Sequence, residues 1–331
     1  MTELALAIDI GGTKLAAGLV DRSGRLRVRA QVPTMVGDVG GTGGVESGGG
    51  AANGAEELWG HLAELVESIV TRAGGGGGGG GGDGGGRGDR IAVCGVGCGG
   101  PMSPGGATVS PLNIGVWREF PLRERLGGLT GLPTFVDNDA KALALSEGWV
   151  GAAAGKTDFM AMVVSTGVGG GVVLDGRLLE GRLGNAGHVG HVVVVPDGRA
   201  CACGGKGCLE AEASGTAIAV ITGMPARLAP AEVVERTGTL VGRAAASVAN
   251  LLDLPLVVVS GSVALGYGEP FFLAAQREID LRCGLEFARG TRIIPGGLGD
   301  EGPLIGAARV GWLGLDRSHD GASEDEEFFL V

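Results

Sequence analysis

Short apolar runs alternate with longer amphipathic segments along this chain. Residues 4–10 and 15–20 are apolar and enclose a glycine-containing turn, which predicts two strands joined by a turn. Residues 55–73 repeat apolar side chains at helical spacing, which predicts an amphipathic helix. The remaining apolar runs predict strands at 91–97, 135–139, 160–165, 171–174, 256–260 and 292–295, and helices at 140–150, at about 230–252, after Pro270 and at 303–314. This alternation of strands and helices is typical of an α/β protein.

A weak internal repeat links the two halves of the chain. D-I-G-G-T-K begins at Asp9 and S-T-G-V-G-G-G begins at Ser165, and each places a threonine and glycines between two apolar segments. Two such turns, one in each half, would face each other across a cleft. The repeat therefore predicts a duplicated, two-lobed architecture that grips a phosphorylated ligand between its lobes.

Glycine is the unusual feature of the composition. It supplies 70 of the 331 residues, where about 7% is usual. Much of it lies in two low-complexity stretches, at about 37–54 and at 74–88. Glycine has no side chain to bury, so we expect both stretches to be surface insertions. The acidic segment 316–331 predicts a solvated, disordered tail.

Charge and cysteine content exclude several classes of protein. A net charge of −11 argues against a nucleic-acid binder, because such proteins neutralise phosphates with basic side chains. The first residues lack the basic region and cleavage site of a signal peptide. Asp253 and Pro255 interrupt the best candidate for a membrane span, near 244–265. Three of the six cysteines are scattered and have no pairing pattern, which favours a reduced, cytoplasmic protein without a membrane partner.

The other three cysteines form the most specific motif of the chain. Cys201, Cys203 and Cys208 lie close together in C-A-C-G-G-K-G-C, ten residues and more after His191. One imidazole and three thiolates are the ligand set of a closed tetrahedral zinc site, and a closed site has no position for a reacting water. The motif therefore predicts a structural Zn²⁺ knuckle. The alternative is a cluster of buried cysteines beside an unrelated histidine.

The first glycine turn is a candidate phosphate site. It contains Asp9, Gly11, Gly12, Thr13 and Lys14. Backbone N–H groups of glycines can converge on anionic oxygens, and an aspartate can orient Mg²⁺ through water. A plain hairpin turn is the alternative. The sequence matches neither a Walker A loop nor the dinucleotide-binding fingerprint, so those sites are not implied.

Three further positions carry candidate chemistry. Thr166 and Gly167 begin a second glycine turn, and S-G-S-V-A at 260–264 follows an apolar strand, where open α/β sheets bind ligands. Asp139 stands between a predicted strand and a predicted helix. It is either the N-cap of that helix or a general base that accepts a proton from a substrate hydroxyl. The local sequence leaves both roles open.

In this order the motifs resemble the ROK family (repressors, open reading frames and sugar kinases) of the actin-like, hexokinase-like ATPase superfamily. The resemblance rests on D-I-G-G-T-K at 9–14, N-D-A at 138–140, S-T-G-V-G-G-G at 165–171, the histidine and cysteines of the knuckle, and V-S-G-S-V-A at 259–264. It covers nearly the whole chain apart from the glycine insertions and the acidic tail. It implies a two-lobed actin-like ATPase (ribonuclease H-like) fold with a structural zinc knuckle.

The resemblance also implies a function for each motif. The family phosphorylates a sugar hydroxyl, usually at C6 of a hexose, with ATP and Mg²⁺, which makes Asp139 the catalytic base. The implied sugar contacts are Gly100, Asn113, Asn138, Asp139, His191 and Glu210. The implied phosphate contacts are Gly11, Gly12, Thr13, Lys14, Thr166 and Gly167, with Asp9 beside them and with Gly261 and Ser262 at the adenosine.

Two departures from the family pattern affect these expectations. Most family members have glutamate three residues before the zinc histidine, where this chain has His188. A carboxylate accepts hydrogen bonds from two hydroxyls, whereas a neutral imidazole offers one donor and one acceptor. We therefore expect His188 to contact the sugar and to change the preference for it; alternatively, it lies near the metal. S-G-S replaces a triple glycine at the adenosine loop, where serine is small enough to fit.

The sequence thus predicts a glucokinase-like enzyme with several alternatives. Its lobes are a small α/β lobe at 1–116, a large α/β lobe at 117–302 and a C-terminal helix at 303–315 that returns to the small lobe. The sugar is glucose or another hexose, namely mannose, fructose, allose or an N-acetylhexosamine, and the donor is ATP or polyphosphate. A repressor is disfavoured because the first phosphate motif begins at Asp9, and a sugar sensor without activity is the other rival. The resemblance also implies a homodimer.

Overall fold

The computed structural model describes residues 2–34, 50–74 and 89–319. This part of the chain forms two compact units. The N-terminal unit contains the described residues within 1–142, 182–185 and those from 303 onward, and the C-terminal unit contains 143–181 and 186–302. The strands are β1 (Glu3–Ile10), β2 (Lys14–Asp21), β3 (Leu26–Pro33), β4 (Arg90–Cys98), β5 (Thr134–Asn138), β6 (Phe159–Val164), β7 (Val168–Leu174), β8 (Arg177–Leu178), β9 (Leu256–Ser260) and β10 (Arg292–Pro295). The helices are α1 (Gly50–Gly74), α2 (Leu122–Thr130), α3 (Asp139–Val150), α4 (Leu209–Ala213), α5 (Gly215–Thr222), α6 (Ala231–Leu252), α7 (Ser262–Tyr267), α8 (Glu269–Arg282) and α9 (Gly302–His319).

Each unit is built around a five-stranded sheet with the same topology. The N-terminal sheet has the order β3-β2-β1-β4-β5, in which β1, β2 and β3 are antiparallel and β1, β4 and β5 are parallel. The C-terminal sheet has the order β8-β7-β6-β9-β10, with the antiparallel and parallel pairs at the same places. The turn between β1 and β2 therefore corresponds to the turn between β6 and β7. This duplication agrees with the internal repeat of the sequence and with the predicted α/β class.

The parallel strands are apolar because helices cover them. In the N-terminal unit, Leu58, Leu62 and Ile69 of α1 are fully buried and pack into one core with Ile8 and Val96. In the C-terminal unit, α6 and α8 contribute to a core that includes the central strands β6 and β9. β9 is buried throughout and β6 at every residue except the half-buried Val163, as expected for parallel strands with both faces covered.

The C-terminal helix α9 packs directly on the N-terminal sheet. A Cβ atom on Gly95 of β4 would lie 2.0 Å from the carbonyl oxygen of Ala307 and 2.9 Å from the Cα of Gly311. Only two residues without side chains allow backbones to approach this closely. At the far end of α9, Arg22 donates to Asp316 and lies 4.2 Å from the centre of the Trp312 ring. The helix therefore belongs to the N-terminal unit.

Several boundaries differ from the sequence expectations. The N-terminal unit extends to residue 142, beyond the expected 116, because β5 pairs with β4 and adds the fifth strand of the same sheet. Residues 50–54, expected in a glycine-rich insertion, form the first turn of α1, and 316–319, expected in the tail, continue α9. The rest of the two insertions, 37–49 and 75–88, and tail residues 320–331 lie outside the described residues. No described helix is long and apolar enough to cross a membrane.

Candidate active site

The sequence-predicted site residues fall into two groups, one in each unit. The N-terminal unit contains Asp9, Gly11, Gly12, Thr13, Lys14, Gly100, Asn113, Asn138 and Asp139. The C-terminal unit contains Thr166, Gly167, His188, His191, Cys201, Cys203, Cys208, Glu210, Gly261 and Ser262.

In the N-terminal unit the site residues lie at one edge of the sheet. Ile10, Cys98 and Asn138 are neighbours in register at the carboxyl ends of β1, β4 and β5. Asp9 precedes the first of them, and Asp139 follows the last. The parallel pairing of these strands therefore brings two aspartates that are distant in sequence to the same edge, where open α/β sheets bind ligands.

Asn138 caps α3, and this frees Asp139 from that role. The Asn138 Oδ1 accepts hydrogen bonds from the N–H groups of Ala140, at 3.0 Å, and Lys141, at 3.3 Å. These are the second and third residues of the helix, the usual partners of an N-cap side chain. Asp139 is the first helical residue, and its carboxylate also accepts from the Ala140 N–H, at 2.8 Å. Of the two roles left open by the sequence, the capping role belongs mainly to its neighbour.

Asp9 is a buried carboxyl group beside Asp139. Its side chain belongs to a residue that is only 7% exposed. Burial, followed by the negative charge of Asp139, raises the pKa of Asp9 to about 7, although Lys14 acts in the opposite direction. An isolated buried carboxylate is unfavourable, and a cation in contact with it would reverse this shift. The pair of aspartates is therefore suited to a bound metal ion or cationic group.

The raised pKa of Asp9 predicts a stability gain on its removal. A carboxyl whose folded pKa exceeds its unfolded pKa destabilises the fold progressively as pH rises from about 4 to 7. We expect Asp9→Asn to raise the free energy of unfolding by roughly 2–3 kcal/mol at pH 8, and by less at pH 5. Denaturant unfolding at the two pH values measures this difference.

Asp21 provides a matched control of opposite sign. Burial alone would raise its pKa, but hydrogen bonds from Ser23, Arg25 and Arg27 outweigh burial and lower the pKa to about 2. A lowered pKa stabilises the fold above about pH 4, and this stability is lost as pH falls towards 2. Asp21→Asn should therefore destabilise the protein at pH 8. An Asp9→Asn variant that is less stable than the wild type at pH 8 would contradict the raised pKa of Asp9.

The first glycine turn is a tight hairpin held on both sides. The Gly11 N–H donates to the Lys14 carbonyl oxygen at 3.0 Å, which closes the turn and commits this N–H group to it. Thr34, the residue after β3, also holds the turn: its hydroxyl donates to the Gly11 carbonyl oxygen at 2.7 Å. Gly12 and Thr13 are the exposed residues. A Cβ on Gly12 would lie 2.9 Å from the Cβ of Asn113, so the structure brings these two predicted contacts together.

Two residues that sequence reasoning missed hold the segment 182–185 in the N-terminal unit. Lys141 is 1% exposed, and its ammonium group lies 2.9 Å from Asp137 and 3.1 Å from the Gly184 carbonyl oxygen. The Asn185 side chain bonds both the N–H and the carbonyl group of Met102. Met102 is two residues from Gly100, a predicted sugar contact. A lysine directly after N-D-A was visible in the sequence. Its partner Gly184 is distant along the chain, so the sequence alone could not identify the contact.

In the C-terminal unit the second glycine turn is fixed by three neighbours. The carbonyl oxygens of Ser165 and Thr166 accept hydrogen bonds from the first residues of α5. The N–H of Val168 donates to the Glu210 carboxylate at 3.1 Å, so a predicted sugar contact is attached to a predicted phosphate turn. The Ser165 and Ser262 hydroxyl oxygens are 2.9 Å apart, which links this turn to the start of α7.

The four knuckle residues form a cluster with the dimensions of a zinc site. Their ligand atoms all lie within 4.8 Å of one another, with 3.6 Å between Cys201 Sγ and His191 Nδ1 and 3.7 Å between the sulfurs of Cys203 and Cys208. Tetrahedral ligands about 2.3 Å from zinc are separated by about 3.7 Å. Burial and the neighbouring thiols raise the pKa of Cys208 to about 12, which a bound cation would offset. The donor set and its spacing therefore fit Zn²⁺.

A buried glutamate, paired with two arginines, supports the knuckle. Glu212 is 1% exposed and accepts hydrogen bonds from the backbone N–H and the guanidinium of Arg199, at 2.8 and 2.7 Å. Arg236 of α6 donates to the same carboxylate and to the Glu212 carbonyl oxygen. Burial would raise the pKa of Glu212, but these bonds and charges lower it. Sequence reasoning missed this triad, because Arg236 is distant along the chain.

His188 and His191 lie side by side at the knuckle. Their ring centres are 6.0 Å apart and their planes differ by 26°. Both residues are half-buried; His188 precedes a short turn of 3₁₀ helix, Val189–His191, and His191 ends it. The Nδ1 of His191 faces the cysteines. The second nitrogen of that ring is therefore available to a ligand, next to His188.

Comparison with known proteins identifies the family. Residues 85–311 match the model of the ROK family. The chain belongs to the ROK family. An N-acetylmannosamine kinase of Citrobacter koseri is 38% identical to this ROK protein over 279 residues, which are 80% of this chain and 84% of that protein.

Solved structures of ROK proteins share the fold. A ROK glucokinase from Streptomyces griseus, in complex with glucose and AMPPNP, has a TM-score of 0.74 and 28% identity, covering 94% of this chain and 99% of that one. A ROK hexokinase from Thermus thermophilus has a TM-score of 0.71 and 34% identity, covering 95% and 99%. The expected α/β, actin-like ATPase fold is therefore confirmed.

Proposed function

We propose that this ROK protein is a sugar kinase that transfers the γ-phosphoryl group of ATP to O6 of a hexose. Relatives over most of the chain are named N-acetylmannosamine kinase, glucokinase and hexokinase. Asp139 is the proposed general base: it takes the proton of the hydroxyl as the oxygen attacks phosphorus and ADP leaves. Its position at a strand end, with the helix capped by Asn138, supports this role. Each unit contributes one glycine turn as a proposed phosphate contact, Gly12–Lys14 in the N-terminal unit and Thr166–Gly167 in the C-terminal unit.

Mg²⁺ would neutralise charge on the phosphates of the donor. Asp9 is the proposed residue that orients it, and the raised pKa of this buried carboxyl supports the assignment, because a cation would favour its ionised form. Gly261 and Ser262 are proposed to contact the adenosine. The homodimer implied by the resemblance and the cytoplasmic location indicated by the cysteines stay predictions.

The knuckle is proposed to hold a structural Zn²⁺ that fixes one wall of the sugar site. His191 would hold the metal through its Nδ1, and its Nε2–H could then donate to a sugar hydroxyl. Glu210, two residues after Cys208, is the second residue of α4, and its carboxylate position is fixed by the Val168 N–H. Rigid placement of both side chains is what a structural metal contributes to binding.

The sugar that we propose is an N-acylated hexosamine such as N-acetylmannosamine, and this choice rests on the imidazole of His188. An acetamido group presents one N–H donor and one carbonyl acceptor. A neutral imidazole also presents one donor and one acceptor, whereas the carboxylate usual in the family would face the acetamide carbonyl with a like-charged oxygen. His188 stands beside His191 in the proposed sugar wall. The relatives named N-acetylmannosamine kinase, at 35–38% identity, support the same choice.

Sugar-dependent release of ADP tests this proposal. We expect N-acetylmannosamine to give a higher kcat/KM than glucose, mannose, fructose or allose. His188→Glu should lower kcat/KM for N-acetylmannosamine by about 10–100-fold, because it removes the only donor of this side chain. His188→Gln is the matched control: it keeps one donor and one acceptor and should lose less. Equal losses in the two variants, or an unchanged sugar preference in His188→Glu, would remove His188 from this role.

A further inference from the structure

Glu147 is a buried carboxylate on α3 that the proposed chemistry does not use. It is fully buried in the C-terminal unit. Its Oε2 accepts hydrogen bonds from the N–H groups of Ala152, at 2.7 Å, and Gly297, at 3.1 Å, and its Oε1 accepts from the Ser260 hydroxyl, at 3.2 Å. All three donors are neutral. Burying a carboxylate among neutral groups is less favourable than burying an apolar side chain of similar size, so packing alone does not account for it.

The three partners of Glu147 belong to three separate segments. Ser260 is the last residue of β9, Gly297 follows the end of β10, and Ala152 follows the end of α3. β9 and β10 are parallel neighbours, with Val259 opposite Pro295. One carboxylate therefore ties together the carboxyl ends of two adjacent strands, at the edge where open α/β sheets bind ligands.

The loop after β10 is packed too closely around this carboxylate to carry a side chain. A Cβ on Gly296 would lie 1.9 Å from the Ser260 hydroxyl oxygen and 2.6 Å from the Glu147 Oε1. The Gly296 N–H also donates to the Val259 carbonyl oxygen at 2.9 Å. The backbone of this loop therefore has its position set by the carboxylate and by β9.

Ser260 leads directly into the turn that we assign to adenosine. Gly261 has φ +101°, and a Cβ there would lie 2.4 Å from the Val164 carbonyl oxygen, so the turn is pressed against the end of β6. Ser262 is linked to Ser165 through their hydroxyl groups. Glu147 fixes the residue before this turn, and β6 fixes the turn itself.

We propose that Glu147 is a positioning residue for the nucleoside part of the phosphate donor, and that the loops at Gly261–Ser262 and Gly296–Gly297 contact that nucleoside. This inference rests on the proposed function for the presence of a nucleotide. Glu147 does not touch the ligand; it acts through the backbone of both loops. The phosphates are held elsewhere, at the glycine turns, so the effect of Glu147 is confined to the nucleoside.

Binding of ADP and of inorganic pyrophosphate to the full-length protein separates these contributions. Pyrophosphate can occupy the phosphate turns but has no nucleoside. We expect Glu147→Ala to raise the dissociation constant of ADP by about tenfold or more, because three donors lose their acceptor and both loops relax. The dissociation constant of pyrophosphate should change by less than about twofold. Isothermal titration calorimetry with Mg²⁺ and without sugar measures both.

Two variants provide controls within the same helix. Ser146 is equally buried, but its hydroxyl donates to the Leu143 carbonyl oxygen at 2.8 Å, within α3 itself. Ser146→Ala should therefore leave both dissociation constants unchanged. Glu147→Gln can accept from Ala152 and Gly297 through its carbonyl oxygen and donate to Ser260 through its amide, so we expect ADP binding within about threefold of the wild type.

Several outcomes would overturn the inference. Equal weakening of ADP and pyrophosphate by Glu147→Ala would mean that Glu147 supports the unit as a whole, and unchanged ADP binding would mean that it supports nothing at this site. If Glu147→Ala does not fold, Ser260→Ala decides, since it removes only the link to the adenosine turn: weaker ADP binding supports the inference and unchanged binding refutes it. Absence of sugar phosphorylation would refute the proposed function instead, and leaves the ADP measurement interpretable.

Discussion

Asp139→Asn is expected to lower kcat for sugar phosphorylation by about 10³-fold, within the usual range for loss of a general base. The asparagine oxygen can still accept from the Ala140 N–H, and Asn138 still caps α3, so the fold should be preserved. The variant also removes the negative charge that helps to raise the pKa of Asp9, which favours the folded state. The measurement is sugar-dependent ADP release together with the thermal midpoint.

Asp253→Asn is the matched control for this prediction. Asp253 is the C-cap residue directly after α6 and has φ +54°, a backbone conformation that asparagine adopts as readily as aspartate. The same chemical change should leave kcat and the thermal midpoint unaltered there. Turnover by Asp139→Asn within about tenfold of the wild type would exclude Asp139 as the base.

Loss of the knuckle metal is expected to raise the KM for the sugar by at least about tenfold, with a smaller effect on ADP binding. Cys208→Ser removes one ligand of the cluster and a side chain that is only 2% exposed. The Glu212 ion pairs with Arg199 and Arg236 remain and hold α4 on α6, so we expect loosening of the knuckle rather than global unfolding. Zinc content by elemental analysis and sugar saturation curves measure the two effects.

Cys283→Ser tests whether the effect belongs to the cluster. Cys283 is a buried cysteine of the same unit, and it lies outside the cluster. Its replacement should leave the zinc content and the sugar KM unchanged. A wild-type protein that contains no zinc, or a Cys208→Ser variant with an unchanged sugar KM, would contradict the proposed role of the knuckle.

Local patterns were sufficient to predict most elements of the fold. Apolar runs identified β1, β4, β6, β9 and β10, and helical spacing identified the buried face of α1. Strand β3 was missed, because it alternates between half-buried and exposed residues and carries three arginine or glutamine side chains. It is an edge strand with one covered face, and a search for continuous apolar runs does not find such a strand.

Long-range partners could not be predicted in the same way. The knuckle ligands are near one another in sequence, so their spacing was informative, and the structure brings all four together. Glu147 looked like an ordinary residue of a predicted helix. Its partners Ser260 and Gly297 are more than a hundred residues away, and only the parallel pairing of β9 and β10 brings them together. Lys141 and Gly184, 43 residues apart, and Glu212 and Arg236, 24 residues apart, are likewise pairs that local spacing does not reveal.

We propose that this protein phosphorylates an N-acylated hexosamine with ATP. The most direct test incubates the purified full-length protein with Mg²⁺, ATP and either N-acetylmannosamine or glucose, and follows the products by ³¹P NMR. We predict a sugar 6-phosphate resonance that grows in step with ADP, and faster with N-acetylmannosamine than with glucose. ADP without a sugar phosphate, or faster formation of glucose 6-phosphate, would contradict the account.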